Sequence, residues 1–332
     1  MSSISSKIKN ILPKRLLYYY YLKSAIFTVL PDLRRRVQDK VFQEAISSKL
    51  ERDLSLYYHN IEKGLTMPNP KPNFGKEVIK KLCQTLEQCK KLNIKCKSVE
   101  FNQSLSVLEE YLEFHKTLSF EIDQNIEKLI KLVLEKNPNN LGIKQLRISS
   151  QDYFSDSQKP FDKFCMSRYS VRHYTDKDIS MDILNKCIKL AQKSPSFCNR
   201  QPTRLHIIKN KSTQKKILAL QNGNRGFGHF ASTLLVITSD ISVTKDIHER
   251  NENHLNGGMF IMTLLNALHF YNIGACSLNW SVDEPREQKL REILHLKNNE
   301  IALMIISCGH TPNKIAIAAS PRKPIGEITT IH

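Results

Sequence analysis

Three polar segments in the C-terminal half of the chain carry residue types that could hold a phosphate-bearing molecule. In the first, SRYSVRHY, the residues Arg168, Ser170 and Arg172 alternate. Alternating side chains of an extended segment project to one side, so two guanidinium groups and a hydroxyl would face the same phosphate or polar ring edge. The same spacing also fits a solvated strand edge with salt bridges.

The other two segments are loops. In SPSFCNRQP, the side chains of Ser196, Asn199 and Gln201 can bond both donors and acceptors of a heterocycle, although an ordinary Ser/Asn loop has the same composition. In ASPRKPIGEI, Arg322 and Lys323 stand between two prolines. A stiff basic loop suits a phosphate, and an exposed tail is the alternative.

The 332 residues contain no GxSxG, HExxH, P-loop or GxGxxG motif. The sequence therefore does not indicate a hydrolase or a Rossmann cofactor site. The 8 cysteines form no CxxC pair and no zinc-like spacing with histidine, which predicts free thiols in a reducing cytoplasm and no metal site. The net charge of +18 favours phosphate ligands, anionic membranes or nucleic acid. Because the basic residues are spread along the chain, we expect no nucleic-acid binding.

The hydrophobic pattern predicts two regions that must position these segments. Residues 1–150 are predicted to be helical, including one amphipathic helix from about Arg35 to Gly64 and three shorter helices after it. In residues 151–332, helical patterns alternate with β-rich runs, which is typical of an α/β or α+β domain. The predicted elements there are strands at Leu205–Ile208, Leu234–Thr238 and Ile301–Ile306, a helix started at Ser180 or Met181, a helix opened by Ser212, and an apolar helix at Asn256–Tyr271.

The run from Leu16 to Leu30 is apolar and rich in tyrosine, but it contains Lys23 and is shorter than the roughly 20 residues that a membrane span needs. With basic residues on both sides, residues 1–36 would make a peripheral contact with an anionic bilayer. The alternative is an aromatic helix that packs on the rest of the protein.

Taken in order, the polar segments resemble the nitroreductase family of FMN-dependent oxidoreductases, over about residues 160–328. Four motifs carry the resemblance, each weak alone but specific in this order. They are Arg168-x-Ser170-x-Arg172-x-Tyr174; the loop from Ser194 to Pro202; the segment Ile273–Trp280 after a hydrophobic helix; and Gly309-His310 followed by Arg322 and Pro324.

The resemblance implies an α+β sandwich, with a central, mainly antiparallel sheet flanked by helices, that assembles as an intertwined homodimer with two FMN sites. It implies that the flavin carries the chemistry with no obligate catalytic side chain, and that NAD(P)H reduces it before a small organic substrate reoxidises it in ping-pong order. The glycine-rich loop 222–228 and the N-terminal region are candidate walls of the substrate pocket. The implied cofactor-binding residues are Arg168, Tyr169, Ser170, Arg172, Pro195, Ser196, Asn199, Gln201, Ser277, Leu278 and Arg322.

The chain departs from the family pattern at Phe197, Cys198, Thr203 and Ser320. The departures affect the substrate pocket and the basic loop, and they keep two alternatives open. One is a family branch that acts as a dehalogenase or an oxidase. The other is a non-catalytic flavin-binding, nucleotide-binding or membrane-associated scaffold with the same fold.

The stretch HNIEKGL also resembles a part of longer nitroreductase-like proteins associated with bacterial surface-polysaccharide gene clusters. His59, Glu62 and Lys63 lie within one turn near a helix end, so two of them can face one pocket. The alternative is a helix C-terminus stabilised by the favourable interaction of His and Lys with the helix dipole.

Overall fold

The computed structural model of the protein describes residues 13–38, 46–138 and 141–332. The N-terminal half is helical, with α1 at Lys14–Gln38, α2 at Ile46–Leu65, α3 at Lys76–Leu92, α4 at Val99–Thr117 and α5 at Gln124–Glu135. The three helices expected after Gly64 are confirmed. Of the long helix expected from Arg35 onward, residues 39–45 lie outside the described residues, and the part from Ile46 is helical as predicted.

Helices α2 to α5 share one hydrophobic core. Their apolar residues recur at spacings of three and four, which places one stripe of each helix inside. Each fully buried Leu or Ile stabilises the fold by about 1.5–3 kcal/mol. The largest side chains in this core with almost no exposure are Leu54, Ile61, Ile79, Leu82, Leu86, Leu105, Leu108, Tyr111, Ile126 and Ile130. The division of the chain at residue 150 stays a prediction.

The C-terminal half is built on a four-stranded sheet, with β2 at Thr203–Ile208, β3 at Thr233–Asp240, β4 at Gly274–Asn279 and β5 at Glu300–Gly309. The strand order is β2-β3-β5-β4 and every pair is antiparallel. A separate antiparallel pair joins β1 at Leu146–Ser149 to β6 at Lys314–Ile317. The three predicted strands are confirmed as parts of β2, β3 and β5.

Helices flank the sheet: α6 at Ser150–Phe154, α7 at Phe161–Ser167, α8 at Met181–Ala191, α9 at Lys211–Leu220, α10 at Glu252–Phe270, α11 at Glu284–Leu294 and α12 at Ile325–Ile328. One apolar cluster packs α8 and α10 against the sheet, and a second packs α9 and α11. The seven residues of β3 from Thr233 to Ser239 are buried, as expected for a strand covered on both faces. The predicted α+β fold class is therefore confirmed.

One predicted helix start is confirmed and two others differ in detail. Ser180 caps α8 as expected, and its hydroxyl accepts a hydrogen bond from the backbone N–H of Ile183. The prediction that Ser212 opens the next helix is wrong, because Asn210 caps α9 through a 2.9 Å hydrogen bond from the N–H of Thr213. Helix α10 begins at Glu252 rather than Asn256, since its polar first turn is invisible to an apolar pattern.

Helix α1 holds its aromatic residues largely away from the protein. Tyr18 and Tyr19 are 62% and 63% exposed, and an ion pair between Asp32 and Arg250 ties the helix to the C-terminal half. Within the described parts of the chain, no helix has the length and apolarity that crossing a membrane requires. A bilayer contact through residues 1–36 stays a prediction, and residues 1–12 lie outside the described residues.

Candidate functional site

The segment that contains the alternating arginines runs beside strand β4. The backbone N–H of Val171 donates to the carbonyl oxygen of Ala275 at 2.9 Å. The hydroxyl of Tyr174 donates to the carbonyl oxygen of Val171 at 2.7 Å and lies 3.0 Å from that of Ser307. Because Val171 and Tyr174 are buried, they fix this extended segment against the sheet.

Arg172 is buried, with 7% of its surface exposed. Its guanidinium carbon lies 5.7 Å from the centre of the Phe227 ring, a distance that favours a cation–π contact. The Nε atom has no hydrogen-bond partner among the described residues. A buried N–H group that lacks a partner is costly, so the Nε of Arg172 is left able to donate to a ligand.

Lys63 is the second cation at this position. Its Nζ donates a 3.0 Å hydrogen bond to the carbonyl oxygen of Gly223, in the glycine-rich loop. Burial lowers the pKa of Lys63, and the positive charge of Arg172 lowers it further. Because Lys63 bonds Gly223 and the Arg172 guanidinium lies beside Phe227, both cations contact the glycine-rich loop.

Arg168 occupies the other end of the segment, at the C-terminal end of α7. It lies near the buried ring of His269, whose pKa falls to about 4 because of burial and, to a smaller extent, the charge of Arg168. The adjacent Tyr169 is fixed through its backbone, whose N–H and carbonyl oxygen bond the Tyr153 hydroxyl at 3.3 and 2.9 Å. Arg168, Tyr169 and Ser170 are all partly exposed.

Strand β4 forms an edge of the sheet beside this segment. Ser277 is exposed, whereas Leu278 is 3% exposed and pairs with Ile305 of β5. At the end of the strand, the carbonyl oxygen of Asn279 accepts a 3.0 Å hydrogen bond from Gln221. The glycine-rich loop, β4 and the arginine segment therefore meet at one edge of the domain.

The loop from Ser194 to Pro202 is tightly folded on itself. Ser196 Oγ accepts from the backbone N–H of Gln201 at 3.0 Å, and the Gln201 amide donates to Asn199 Oδ1 at 3.1 Å. Cys198, Asn199 and Gln201 have positive φ angles of 50°, 54° and 49°. Left-handed backbone costs about 1–2 kcal/mol per residue with a side chain, and such strain concentrates at functional sites.

A cavity of about 200 Å³ lies against this loop. Pro195, Ser196 and Gln201 line one part of the wall, and Asn256 and Phe260 of α10 line another. The amides of Asn199 and Gln201 are exposed. The loop thus presents polar groups to a half-apolar cavity, a combination that suits a small organic ligand.

Arg322 lies in a different environment from the other candidate residues. It is exposed, its guanidinium donates to the carbonyl oxygen of Ser320, and its charge acts on Tyr58 of α2. The neighbouring Lys323 pairs with Glu51 and lies 3.7 Å from Glu100. The C-terminal basic loop therefore contacts acidic residues of the N-terminal helices.

The structure groups the candidate residues into separate places. The arginine segment and β4 lie side by side, whereas no hydrogen bond or ion pair joins either of them to the 194–202 loop within the chain from residue 141 onward. The glycine-rich loop 222–228 is a predicted pocket wall, but nothing in the sequence singles out Phe227 as the ring beside Arg172. Lys63 is a predicted candidate, but the sequence carries no signal for its partner 160 positions away.

The three residues of the HNIEKGL stretch divide between two sides of α2. Glu62 is fully buried, 3.3 Å from His59 Nδ1, and accepts a 3.0 Å hydrogen bond from Gln103 of α4. Lys63 instead reaches the C-terminal half. Of the three, Glu62 and His59 belong to the helical bundle, and only Lys63 approaches the arginine segment.

Comparison with known proteins agrees with these motifs. Residues 165–224 match the family model described as the nitroreductase family. A protein of Archaeoglobus fulgidus that bears the provisional name NADH dehydrogenase/NAD(P)H nitroreductase is 26% identical over 151 residues, which is 45% of this chain and 83% of that protein. The FMN reductase [NAD(P)H] of Bacillus subtilis is 25% identical over 170 residues, which is 47% of this chain and 66% of that protein.

Among solved structures, one from Desulfovibrio desulfuricans, provisionally called a nitroreductase and determined in complex with FMN, is 20% identical. The match covers 53% of this chain and 98% of that one, with a TM-score of 0.44. The order of the four motifs and the antiparallel sheet are consistent with the match to the family model. Residues 165–224 are therefore similar in sequence to the nitroreductase family.

Proposed function

We propose that this protein is an FMN-dependent oxidoreductase that uses NAD(P)H to reduce a small organic substrate. The observation that carries the proposal is Arg172, a buried residue without an acidic partner among the described residues, on a segment that runs beside β4, the last strand of the sheet. The names of the two sequence relatives, which refer to NAD(P)H and to FMN, support the same assignment.

The residues at this edge fit a flavin nucleotide. FMN brings a dianionic phosphate and a ring with several polar edges, which cationic and hydroxyl groups recognise. We assign Arg168, Ser170 and Arg172 to its phosphate, ribityl or pyrimidine portions, and the backbone at Ser277 and Leu278 to its ring. In the same proposal Arg322 would bind the phosphate of FMN, after the C-terminal loop moves away from its position beside α2.

The 194–202 loop would reach this site from a second copy of the chain. Pro195, Ser196, Asn199 and Gln201 have no bond to the arginine segment of their own chain, and their loop is held in a strained conformation. An intertwined homodimer would bring the loop of one protomer to the arginine segment of its partner. The exposed apolar side chains of α10, among them Leu255, Met259 and Met262, provide a surface for such a dimer.

When bound, FMN would supply the hydride-transfer chemistry between a nicotinamide and an acceptor. The residues of this chain bind and orient the reactants. Arg172 and Lys63 place positive charge near the ligand, and Phe227 excludes water from one side of the guanidinium. Because nicotinamide and acceptor would use one pocket in turn, we expect ping-pong kinetics. A link to surface-polysaccharide metabolism rests on the HNIEKGL resemblance alone and stays a prediction.

The test is the visible spectrum of the purified protein before and after anaerobic addition of NADH or NADPH. We expect flavin absorption bands that nicotinamide bleaches, and much weaker flavin binding in Arg172→Met and Arg168→Ala. Lys216→Met, which removes one positive charge from the exposed face of α9, is the matched control. A colourless protein that takes up no added FMN would refute the proposed enzymatic function and favour a non-catalytic scaffold.

A further inference from the structure

Lys63 links the N-terminal helices to the arginine segment. It lies in the last turn of α2, and its side chain leaves the bundle to bond the carbonyl oxygen of Gly223. Its neighbour Glu62 points into the bundle, where Gln103 holds it. Two consecutive residues of one helix therefore serve two different environments.

The surroundings of Lys63 hold a surplus of positive charge. Lys63 bonds the carbonyl oxygen of Gly223, and the Arg172 guanidinium lies 5.7 Å from the ring centre of Phe227, so both cations contact the same glycine-rich loop. The residue after Arg172, His173, lies 2.9 Å from the carbonyl oxygen of Thr66, three residues after Lys63. Among the described residues, no carboxylate pairs with either cation. The Cys276 thiol of β4 also interacts electrostatically with Lys63, which locates the lysine beside the strand that we assign to the flavin.

A purely structural role does not account for this arrangement. One hydrogen bond to a carbonyl oxygen leaves both charges uncompensated, and partial burial strengthens their repulsion. A neutral side chain would connect α2 to the loop without that cost. Two cations kept close together, without an acid, are the arrangement that binds an anion.

We propose that Lys63 completes the anion site of Arg172, so that the N-terminal helices contribute directly to cofactor binding and the pair holds an anionic oxygen group of the flavin. This inference rests on the proposed function. The group is either the phosphate or the oxygen-bearing pyrimidine edge of the ring, and both present the same chemistry to two cations.

Flavin titration of the full-length apoprotein tests the inference. FMN and riboflavin are added separately to the wild type and to Lys63→Met, Lys63→Gln, Lys63→Arg and the control Lys216→Met, and binding is followed by flavin fluorescence. We expect Lys63→Met and Lys63→Gln to weaken FMN binding by about tenfold or more, and Lys63→Arg to retain most of it. Lys63→Gln is informative because its amide can still donate to Gly223.

The two ligands distinguish the source of the anionic oxygen. If Lys63 serves the phosphate, its removal weakens FMN binding and leaves riboflavin binding unchanged. If it serves the ring, binding of both ligands weakens by a similar factor, and the midpoint potential of the bound flavin falls by about 30 mV for each tenfold loss that is specific to the reduced form. Unchanged affinity for both ligands in Lys63→Met and Lys63→Gln would overturn the inference.

Thermal melting of the apoprotein adds a readout that does not depend on flavin. Removing one of two repelling cations should leave the melting temperature of Lys63→Met equal to or above that of the wild type, and inorganic phosphate should stabilise the wild type more than the variant. If Lys63→Met melts lower and phosphate stabilises both proteins equally, Lys63 only ties α2 to the loop and the inference fails. Failure of the wild type to bind either flavin would refute the proposed function, while the phosphate comparison would still test the cation pair.

Discussion

His173 Nε2 lies 2.9 Å from the carbonyl oxygen of Thr66, so the residue after Arg172 is bonded to the residue after the end of α2. Burial lowers the pKa of His173, which keeps the ring neutral at pH 7 with the Nε2 proton donated to Thr66. Because Thr66 is itself buried, this bond satisfies a carbonyl oxygen that water cannot easily reach.

Removing the donor at this contact should destabilise the protein. We expect His173→Phe to lower the free energy of unfolding by about 1–3 kcal/mol, since it leaves a buried acceptor unpaired. His173→Gln should recover part of the loss because it keeps a donor. Urea denaturation measures the change, with the exposed His229→Phe as control. Equal stability of His173→Phe and the control would show that the contact contributes nothing.

His269 makes the stability of the fold depend on pH. Its ring is buried among Tyr153, Phe154 and Phe164, and burial is the main reason that its pKa falls from 6.5 to about 4. Between these values the unfolded chain binds a proton that the folded protein excludes. Stability from this group is therefore fully present above pH 6.5 and is lost as the pH falls toward 4.

His269→Phe should flatten this dependence. The wild type should lose up to about 3 kcal/mol of unfolding free energy from this histidine between pH 7 and pH 4, and the variant should lack that component. A phenyl ring suits the aromatic surroundings, and Ser167 keeps its 2.9 Å bond to the carbonyl oxygen of Phe164. His173 and His310 remain in both proteins, so urea titrations at several pH values isolate His269. Parallel curves for the two proteins would contradict the assignment.

The hydrophobic pattern predicted the elements of this fold because each has one strong local signal. Strand β3 is a continuous apolar run, and Ser180 is a good N-cap directly before a periodic helix. Asn210 was overlooked because Ser212, Thr213 and Asn210 are all capping types within one turn, and the sequence does not show which backbone N–H groups are left unbonded.

The candidate site was only partly predictable, for a different reason. The alternation of Arg168, Ser170 and Arg172 is local and therefore visible. That Lys63 reaches the same glycine-rich loop as Arg172 depends on how α2 packs against the C-terminal half. The position of the C-terminal basic loop likewise depends on tertiary contacts, since Lys323 pairs with Glu51 of α2. Family motifs indicate which residues matter without indicating what an additional N-terminal region places beside them.

Helix α10 provides a test of the proposed homodimer. A contiguous face of this helix is exposed at Leu255, Met259 and Met262, and a side chain added at Gly258 between them would meet open space. Apolar residues on one exposed helix face commonly mark a protein–protein interface. We expect Met262→Asp to shift the protein from dimer to monomer, because a charge cannot be buried there without a partner.

Light scattering after size exclusion measures the oligomeric state. The matched control is Leu132→Asp on α5, because Leu132 and Met262 are both 45% exposed. A wild-type monomer, or a dimer that withstands Met262→Asp, would refute this interface. Loss of FMN binding together with the dimer would further support a site that needs the 194–202 loop of the partner.

The left-handed backbone at Cys198, in the 194–202 loop, should favour glycine at that position. Its φ of 50° is a conformation that glycine adopts without a steric penalty, and its side chain is exposed, so little packing is lost on substitution. Cys198→Gly should therefore be more stable than Cys198→Ala by about 1 kcal/mol. Cys165 is the control because it is exposed within helix α7, where glycine should instead be less stable than alanine by about 1 kcal/mol. Thermal denaturation of the four variants gives both differences, and the same order of glycine and alanine at the two positions would show that the loop is not strained.

If the strain in the 194–202 loop serves binding, Cys198→Gly should also weaken FMN affinity while it raises stability, since the loop loses its fixed shape.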